Sequence, residues 1–359
     1  MSKRSIEPVK RYLELDALRG IAAIMVVVFH YTLGRESYNS ILKLGTTGVD
    51  LFFIISGFVI FMSLQHISGS REFIVNRVAR LYPTYWAAVT FTFILKILFT
   101  LYFANGPEFI WLWYYGANLT MFQFYLGVGD LDSTYWTLLL EMLFYIFMLL
   151  LYKLRQIKHI NIIGLALTIA TVVAVHFFYY VPAVKAVIVY FPLLQFLPLF
   201  LMGINFYRIF TNDARSYKEY FVPAICLLCQ IMLFKYVGRS RNYINQEEYA
   251  FMLMLYFMLF IVFVNNGLSF VVNKYTLFLG RISYAVYVVH QYVSLKVIFP
   301  IFLKKFGWNF WITSLCVALP VVLIVSAAIT YWIEIPLRYR IKKVLSPVHT
   351  SKEENRPLC

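Results

Sequence analysis

The sequence predicts an all-α integral membrane protein, a polytopic bundle of about ten transmembrane helices with both termini in the cytoplasm. Of its 359 residues, 61% are hydrophobic and 14% are charged, whereas a soluble domain has about 25% charged residues. Apolar runs of roughly the 20 residues that cross a bilayer recur along the chain. The 32 Lys and Arg residues cluster in the connections, a pattern typical of loops retained in the cytoplasm.

Ten apolar runs supply the predicted spans. The first run contains Asp16, Arg19 and His30 and has no small-residue cleavage site, so we interpret it as a mature helix rather than a signal peptide. Segment 105–133 is rich in aromatic residues, lacks Lys and Arg, and is predicted to lie along the outer membrane interface. In chain order, the spans are Leu15–Leu33, Val49–Gln65, Tyr82–Phe103, Thr134–Tyr152, Ile160–Tyr180, Tyr190–Phe210, Tyr220–Val237, Glu248–Asn265, Ile282–Phe302 and Phe310–Ile333.

One membrane domain is predicted for residues 1–345, followed by a short polar cytoplasmic tail at 346–359, because no linker divides the apolar runs. The net charge of +15 does not indicate a nucleic-acid partner, since the basic residues stand in short clusters that suit membrane lipid. Cys226 and Cys229 have the spacing of a metal pair, but without nearby His or Cys partners no metal site is predicted.

The first predicted helix carries two ionisable residues, which are costly inside a membrane and often mark a functional site. Arg19 and His30 are eleven residues apart, so they face the same side of a helix about 16 Å apart along its axis. A histidine in this position can take a proton from a hydroxyl group. The alternative is structural: His30 bonds a neighbouring helix, and Arg19 pairs with Asp16.

A second basic feature precedes the third span. Arg77 and Arg80 lie three residues apart, so a helix would place both guanidinium groups on one face. Guanidinium groups suit phosphate oxygens, so this pair could hold a nucleotide-bearing donor at the cytoplasmic surface. Attraction to lipid headgroups is the alternative.

Two acids lie inside the predicted membrane region. Glu141 is roughly 10 Å below the outer end of its helix, a depth close to that expected for His30. It is predicted to orient the imidazole or bind hydroxyl groups of a substrate, with a structural hydrogen bond as the alternative. Asp50 opens the second span, where it either joins the site or serves only the helix N-terminus.

Late in the chain, His290 and Glu334 are further candidates. His290 is the rival of His30 as the general base. Glu334 is expected near the cytoplasmic end of the last span, where it pairs with Arg338 four residues on or with a substrate.

Five motifs together resemble the acyltransferase-3 family of integral membrane proteins, in order along nearly the whole chain. They are LELDALRGIAAIMVVVFH at 13–30, GVDLFFIISGF at 48–58, RVARLYPTYW at 77–86, YWTLLLEMLFY at 135–145 and GRISYAVYVVHQ at 280–291. The resemblance implies a ten-helix enzyme of the stand-alone type, without an appended esterase-like domain. It also implies that His30 is catalytic, and that Arg19, Arg77 and Arg80 match the arginines of the family signatures.

The resemblance further implies the reaction: transfer of an acyl group, most simply acetyl, from acyl-CoA to a carbohydrate of the cell surface. Acyl-CoA would be a co-substrate rather than a resident cofactor, and the location would be a bacterial inner membrane. Tyr135 and Trp136 could then stack on sugar rings. Two alternatives stay open, namely a succinyl or longer acyl group, and a transporter or flippase of a glycan precursor or small metabolite.

Overall fold

The computed structural model describes residues 12–33, 41–103, 110–212, 216–236 and 238–345, and these contain helices and no strands. This confirms the all-α class. The predicted polar tail at 346–359 and both chain termini lie outside the described residues, so their cytoplasmic location stays a prediction.

Twelve α-helices are present among the described residues. A 3₁₀ helix, Ile41–Thr47, leads directly into the second α-helix. The last two helices contain π-helical stretches, including Tyr292–Ile298 and Ile329–Glu334. The helices are α1 (Leu13–Thr32), α2 (Gly48–Gln65), α3 (Ser70–Phe103), α4 (Ile110–Asn118), α5 (Trp136–Lys153), α6 (Ile160–Phe178), α7 (Pro182–Tyr190), α8 (Leu197–Thr211), α9 (Phe221–Leu233), α10 (Gln246–Val264), α11 (Lys274–Lys305) and α12 (Phe310–Leu345).

Within the described ranges, seven helices are long and apolar enough to cross a membrane, so the protein is a multi-pass membrane protein. They are α2 with its 3₁₀ extension, α3, α5, α6, α10, α11 and α12. The predicted spans over α1, α8 and α9 coincide with helices but are not among the seven. Helices α8 and α9 have 15 and 13 residues, fewer than the roughly 20 that a span requires. The number ten therefore stays a prediction.

The helices form two compact units, one of residues 1–66 and 140–280 and the other of residues 67–139 and 281–359. The first unit is built around the crossing of α2 and α8. There Gly57 and Gly203 face the partner backbone: a Cβ on Gly57 would overlap the carbonyl oxygen of Phe200, and one on Gly203 would overlap that of Ile54. Small residues permit this close approach. Lipid tails are as apolar as the side chains, so helices in a membrane associate through close packing at such residues.

The second unit is organised by α3, which has 34 residues and contains Pro83. Helix α4 folds back along it: the ring of Tyr115 stacks on Phe93 at 4.5 Å, and Tyr85 donates a hydrogen bond to the carbonyl of Asn118 at 2.6 Å. The hydroxyl of Tyr82 reaches the carbonyl of Thr120 at 3.0 Å. The described part of the aromatic segment therefore packs along α3, and its location at the outer membrane interface stays a prediction.

Candidate active site

His30 lies in the last turn of α1 and is half-buried. Its Nδ1 lies 2.9 Å from the carbonyl oxygen of Val26, one turn earlier. A carbonyl oxygen only accepts, so Nδ1 carries the proton, and in a neutral ring Nε2 then carries the lone pair. The helix itself thus sets the tautomer that a general base requires.

The same kind of bond to a helix backbone forms at two other histidines, His66 at the C-cap of α2 and His290 in α11. Nδ1 of His66 lies 2.8 Å from the carbonyl of Met62, and Nδ1 of His290 lies 2.9 Å from that of Tyr287. The bond is therefore a property of histidine in these helices, and it does not single out His30. His290 is fully buried in the second unit, whereas His30 is partly exposed, which favours access of a substrate to His30.

Arg19 takes the partner that the structural alternative predicted. Its guanidinium lies 3.9 Å from Oδ1 of Asp16, and both side chains are mostly buried. Next to this pair, α1 meets the start of α11 at two glycines: a Cβ on Gly20 would lie 2.6 Å from the backbone nitrogen of Gly280. Arg19 is thus held beside a close helix crossing, and a role in donor binding stays a prediction.

Asp50 belongs to a buried polar network in the first unit. It lies in the first turn of α2 and is 2% exposed. The hydroxyl of Tyr249 donates to Oδ1 of Asp50 at 2.9 Å and accepts from Nε2 of Gln230 at 3.2 Å. Asp50 therefore does more than face the helix N-terminus, because its carboxylate is linked through Tyr249 to α10 and, through the next bond, to Gln230 of α9.

Glu141 is half-buried in α5, within the first unit, and accepts a short hydrogen bond from the hydroxyl of Tyr145, one turn later. The bond leaves the second carboxylate oxygen for another donor. Glu141 and His30 belong to the same compact unit, and a direct role of Glu141 at the imidazole stays a prediction.

Arg77 and Arg80 are both in α3, so the predicted helix is confirmed and the two side chains share a face. Both are half-buried. The Arg77 guanidinium lies 5.4 Å above the ring of Phe73, one turn earlier, which orients it through a cation–π contact.

Glu334 lies at the end of a π-helical stretch of α12 in the second unit. Its Oε2 accepts a hydrogen bond from Thr84 of α3 at 2.8 Å. Thr84 is four residues after Arg80 and therefore on the same face of α3. The structure thus brings Glu334 to the arginine-bearing face of α3, a proximity that sequence spacing could not reveal.

Tyr135 is not placed as a sugar-stacking residue would be. Its ring is fully buried, 5.2 Å from that of Tyr85, and its hydroxyl lies 3.4 Å from that of Thr92. No face of this ring is open to a sugar, so the structure contradicts that role for Tyr135. Trp136, the first residue of α5, is half-buried and keeps the stacking role as a prediction.

Tyr249, Gln230 and Thr84 were missed by sequence reasoning. Tyr249 and Gln230 stand in apolar helices outside the recognised motifs, and Thr84 lies within RVARLYPTYW without being singled out. Tyr249 and Thr84 become informative through a hydrogen bond to an acid, and Gln230 through its bond to Tyr249. Among the described residues, no group of three His, Cys, Asp or Glu side chains is arranged to hold a metal ion.

Comparison with known proteins decides the family. The acyltransferase-domain family model matches residues 12–331, which is most of the chain and includes both arginine signatures and His30. The chain belongs to the acyltransferase-3 family. It is therefore a membrane acyltransferase.

One relative is a protein of the Acidianus two-tailed virus with the name "Putative acetyltransferase ORF330". The acyltransferase is 26% identical to it over 290 residues, covering 76% of this chain and 80% of the viral protein. A second relative, "Protein 2 in picA locus" of Rhizobium radiobacter, is 38% identical over 96 residues, which is 24% of this chain and 46% of that protein. No solved structure matches the acyltransferase.

Proposed function

We propose that the protein transfers an acetyl group from acetyl-CoA, bound from the cytoplasm, to a hydroxyl group of a cell-surface carbohydrate such as O-antigen or exopolysaccharide, in a bacterial inner membrane. The family match over residues 12–331 carries this proposal. It is supported by His30, whose Nδ1 bond to the Val26 carbonyl leaves the lone pair on Nε2.

In this reaction, Nε2 of His30 accepts the proton of the sugar hydroxyl while that oxygen attacks the thioester carbonyl. The carbon–sulfur bond breaks, and the departing thiolate of CoA takes the proton from the imidazolium. Glu141 stabilises the imidazolium or holds the acceptor. An alternative order has His30 acetylated first, followed by attack of the sugar.

The donor phosphates are assigned to Arg77 and Arg80, which share one face of α3. Guanidinium groups bind phosphate oxygens through paired hydrogen bonds. Arg19, whose guanidinium lies 3.9 Å from Asp16, is proposed to bind further along the donor.

The test uses purified protein in nanodiscs with radiolabelled acetyl-CoA and a cell-envelope glycan fraction, and counts label in the glycan. We expect His30→Ala to lose at least about 100-fold in rate, since it removes the general base. His66→Ala is the matched control, because His66 makes the same bond to its helix and should keep normal transfer.

Other outcomes point elsewhere. Undiminished transfer by a folded His30→Ala variant would move the base to His290. Transfer only from succinyl-CoA or a longer acyl-CoA would change the donor. Movement of a glycan precursor across the membrane, with no covalent change from any donor, would replace the enzyme by a transporter.

A further inference from the structure

The segment between α1 and α2 is pressed against the half of α1 that ends at His30. A Cβ on Gly45 would overlap the carbonyl oxygen of Met25 and lie 3.0 Å from Cβ of Phe29. A Cβ on Gly48 would lie 2.8 Å from Cγ2 of Val26. Only glycine fits at these two positions, so residues 41–50 follow α1 at backbone contact.

Single residues of α1 connect this segment to the imidazole of His30. Val26, which touches Gly48, is also the residue whose carbonyl holds Nδ1 of His30 at 2.9 Å. Phe29, which touches Gly45, precedes His30 and packs edge-on against Tyr243 at 4.9 Å. A shift of residues 41–50 would therefore move the two residues that set the position and direction of the His30 ring.

The opposite side of the segment is tied to α10 and the residues before it. The Tyr249 hydroxyl donates to Asp50 at 2.9 Å. The Thr47 hydroxyl donates to the Leu44 carbonyl at 2.7 Å, so the Tyr256 hydroxyl, 2.8 Å away, is the donor to Thr47. At the outer rim of this contact, Lys43 pairs with Glu248 at 2.8 Å and Thr46 lies 3.3 Å from Ser240.

Tyr249 is the most constrained member of this set. Its ring stacks on Phe234 at 4.5 Å, and its hydroxyl is fixed between the amide of Gln230 and the carboxylate of Asp50. Tyr249 and Asp50 are both 2% exposed, so no water replaces the bond if it is lost. Losing a buried hydrogen bond to a carboxylate is costly. The carboxylate oxygen then stays buried without its donor, and nothing offsets the cost of having removed it from water.

We propose that Asp50 and Tyr249 are positioning residues for His30. Their bond holds residues 41–50 against α1 and thereby fixes the direction of Nε2 toward the reacting hydroxyl. This inference rests on the proposed function, in which His30 is the base. Neither residue touches the substrate, so both act on the rate of the chemical step and not on binding of acetyl-CoA or glycan.

Tyr249→Phe, which removes one oxygen atom, is the test variant. We expect kcat to fall about tenfold, as the loss of one buried hydrogen bond predicts, with KM for acetyl-CoA and for the glycan within about twofold of the wild type. Tyr85→Phe is the matched control, because it also removes a buried tyrosine bond to the protein, at 2.6 Å, and should leave kcat within about twofold.

A double-mutant comparison makes the test sharper. If Asp50 and Tyr249 act through one bond, the double variant Asp50→Asn/Tyr249→Phe should lose no more kcat than the worse of the two single variants. If Asp50→Asn does not fold, Tyr256→Phe takes its place and should lower kcat in the same way, since it releases the same segment at Thr47.

The result that overturns the inference is a Tyr249→Phe enzyme with normal kcat, or one whose KM rises while kcat is unchanged. In either case, loss of activity in His30→Ala would still support the proposed function. If His30→Ala were fully active, the proposed base would be wrong and positioning of His30 would have no meaning for catalysis, whatever Tyr249→Phe did.

Discussion

At the scale of single residues, the described structure contains buried acids that hold backbone in place. Asp132 lies in the connection between α4 and α5. Its Oδ1 accepts from the backbone nitrogen and the hydroxyl of Thr134, at 3.0 and 2.8 Å, and its Oδ2 accepts from the backbone nitrogen of Tyr292 at 2.9 Å. This carboxylate fastens the start of α5 to α11, although no sequence motif marks it as more than a helix cap.

Asp132 gives the protein a pH-dependent stability. Burial raises the pKa of its carboxyl to about 6 from 3.8, although the three hydrogen bonds oppose the shift. Because the pKa is higher in the folded state, the stabilising contribution is complete below about pH 4 and is lost as the pH rises through about 6. We expect the free energy of unfolding of wild type relative to Asp132→Asn to fall by roughly 2 kcal/mol between pH 4 and pH 7.

Unfolding in detergent at several pH values measures this difference directly. The asparagine variant loses a hydrogen bond at every pH, since only the oxygen of its amide group can accept. The resulting loss of unfolding free energy does not vary with pH. A difference that stays constant from pH 4 to pH 7 would show that Asp132 does not titrate in this range.

At the scale of helices, glycine decides how closely elements approach. Gly57 of α2 and Gly203 of α8 each face a backbone carbonyl of the other helix, with no space for a methyl group. The sequence places these glycines within apolar runs, and the apolar pattern does not distinguish glycine from alanine or another small residue at these positions. Only the crossing shows that the positions require glycine.

Gly203→Ala should therefore destabilise the protein by about 1–3 kcal/mol or more, because the helices must separate to admit the Cβ. Gly116→Ala is the matched control: Gly116 is in helix α4, and a Cβ there meets nothing within 4 Å. That change should be neutral or stabilise by up to about 1 kcal/mol. Equal melting temperatures for the two variants would refute the close crossing.

At the scale of the whole molecule, the predicted orientation follows from the basic clusters and can be tested apart from catalysis. After replacement of the native cysteines, we expect a cysteine at Gln156 to react with a membrane-impermeant maleimide only when the cytoplasmic face is accessible. A cysteine at Ala183 should react in intact cells. Both positions are exposed, so opposite labelling would mean that the protein is inverted relative to the positive-inside prediction.

Spacing along a helix predicts some contacts of the candidate site and gives no information on others. Helical spacing correctly placed Arg77 and Arg80 on one face and paired Arg19 with Asp16, because neighbours three or four residues apart meet on any helix. It misjudged Tyr135, since the burial of an aromatic ring depends on which helices surround it. It also gave no sign of Tyr249, whose partner Asp50 is 199 residues away in the chain.

The sequence by itself determined the membrane class, the all-α fold and, through motifs in order, the acyltransferase family. These three properties depend on composition, on the periodicity of apolar residues and on motifs of residues close in the chain, all of which the sequence contains directly. Only the tertiary structure decided that Glu334 meets Thr84 and that Asp50 and Tyr249 hold the segment beside His30. Those contacts join distant residues, and helix packing in lipid selects them through close shape fit and hydrogen bonds, which hydrophobic patterning does not encode.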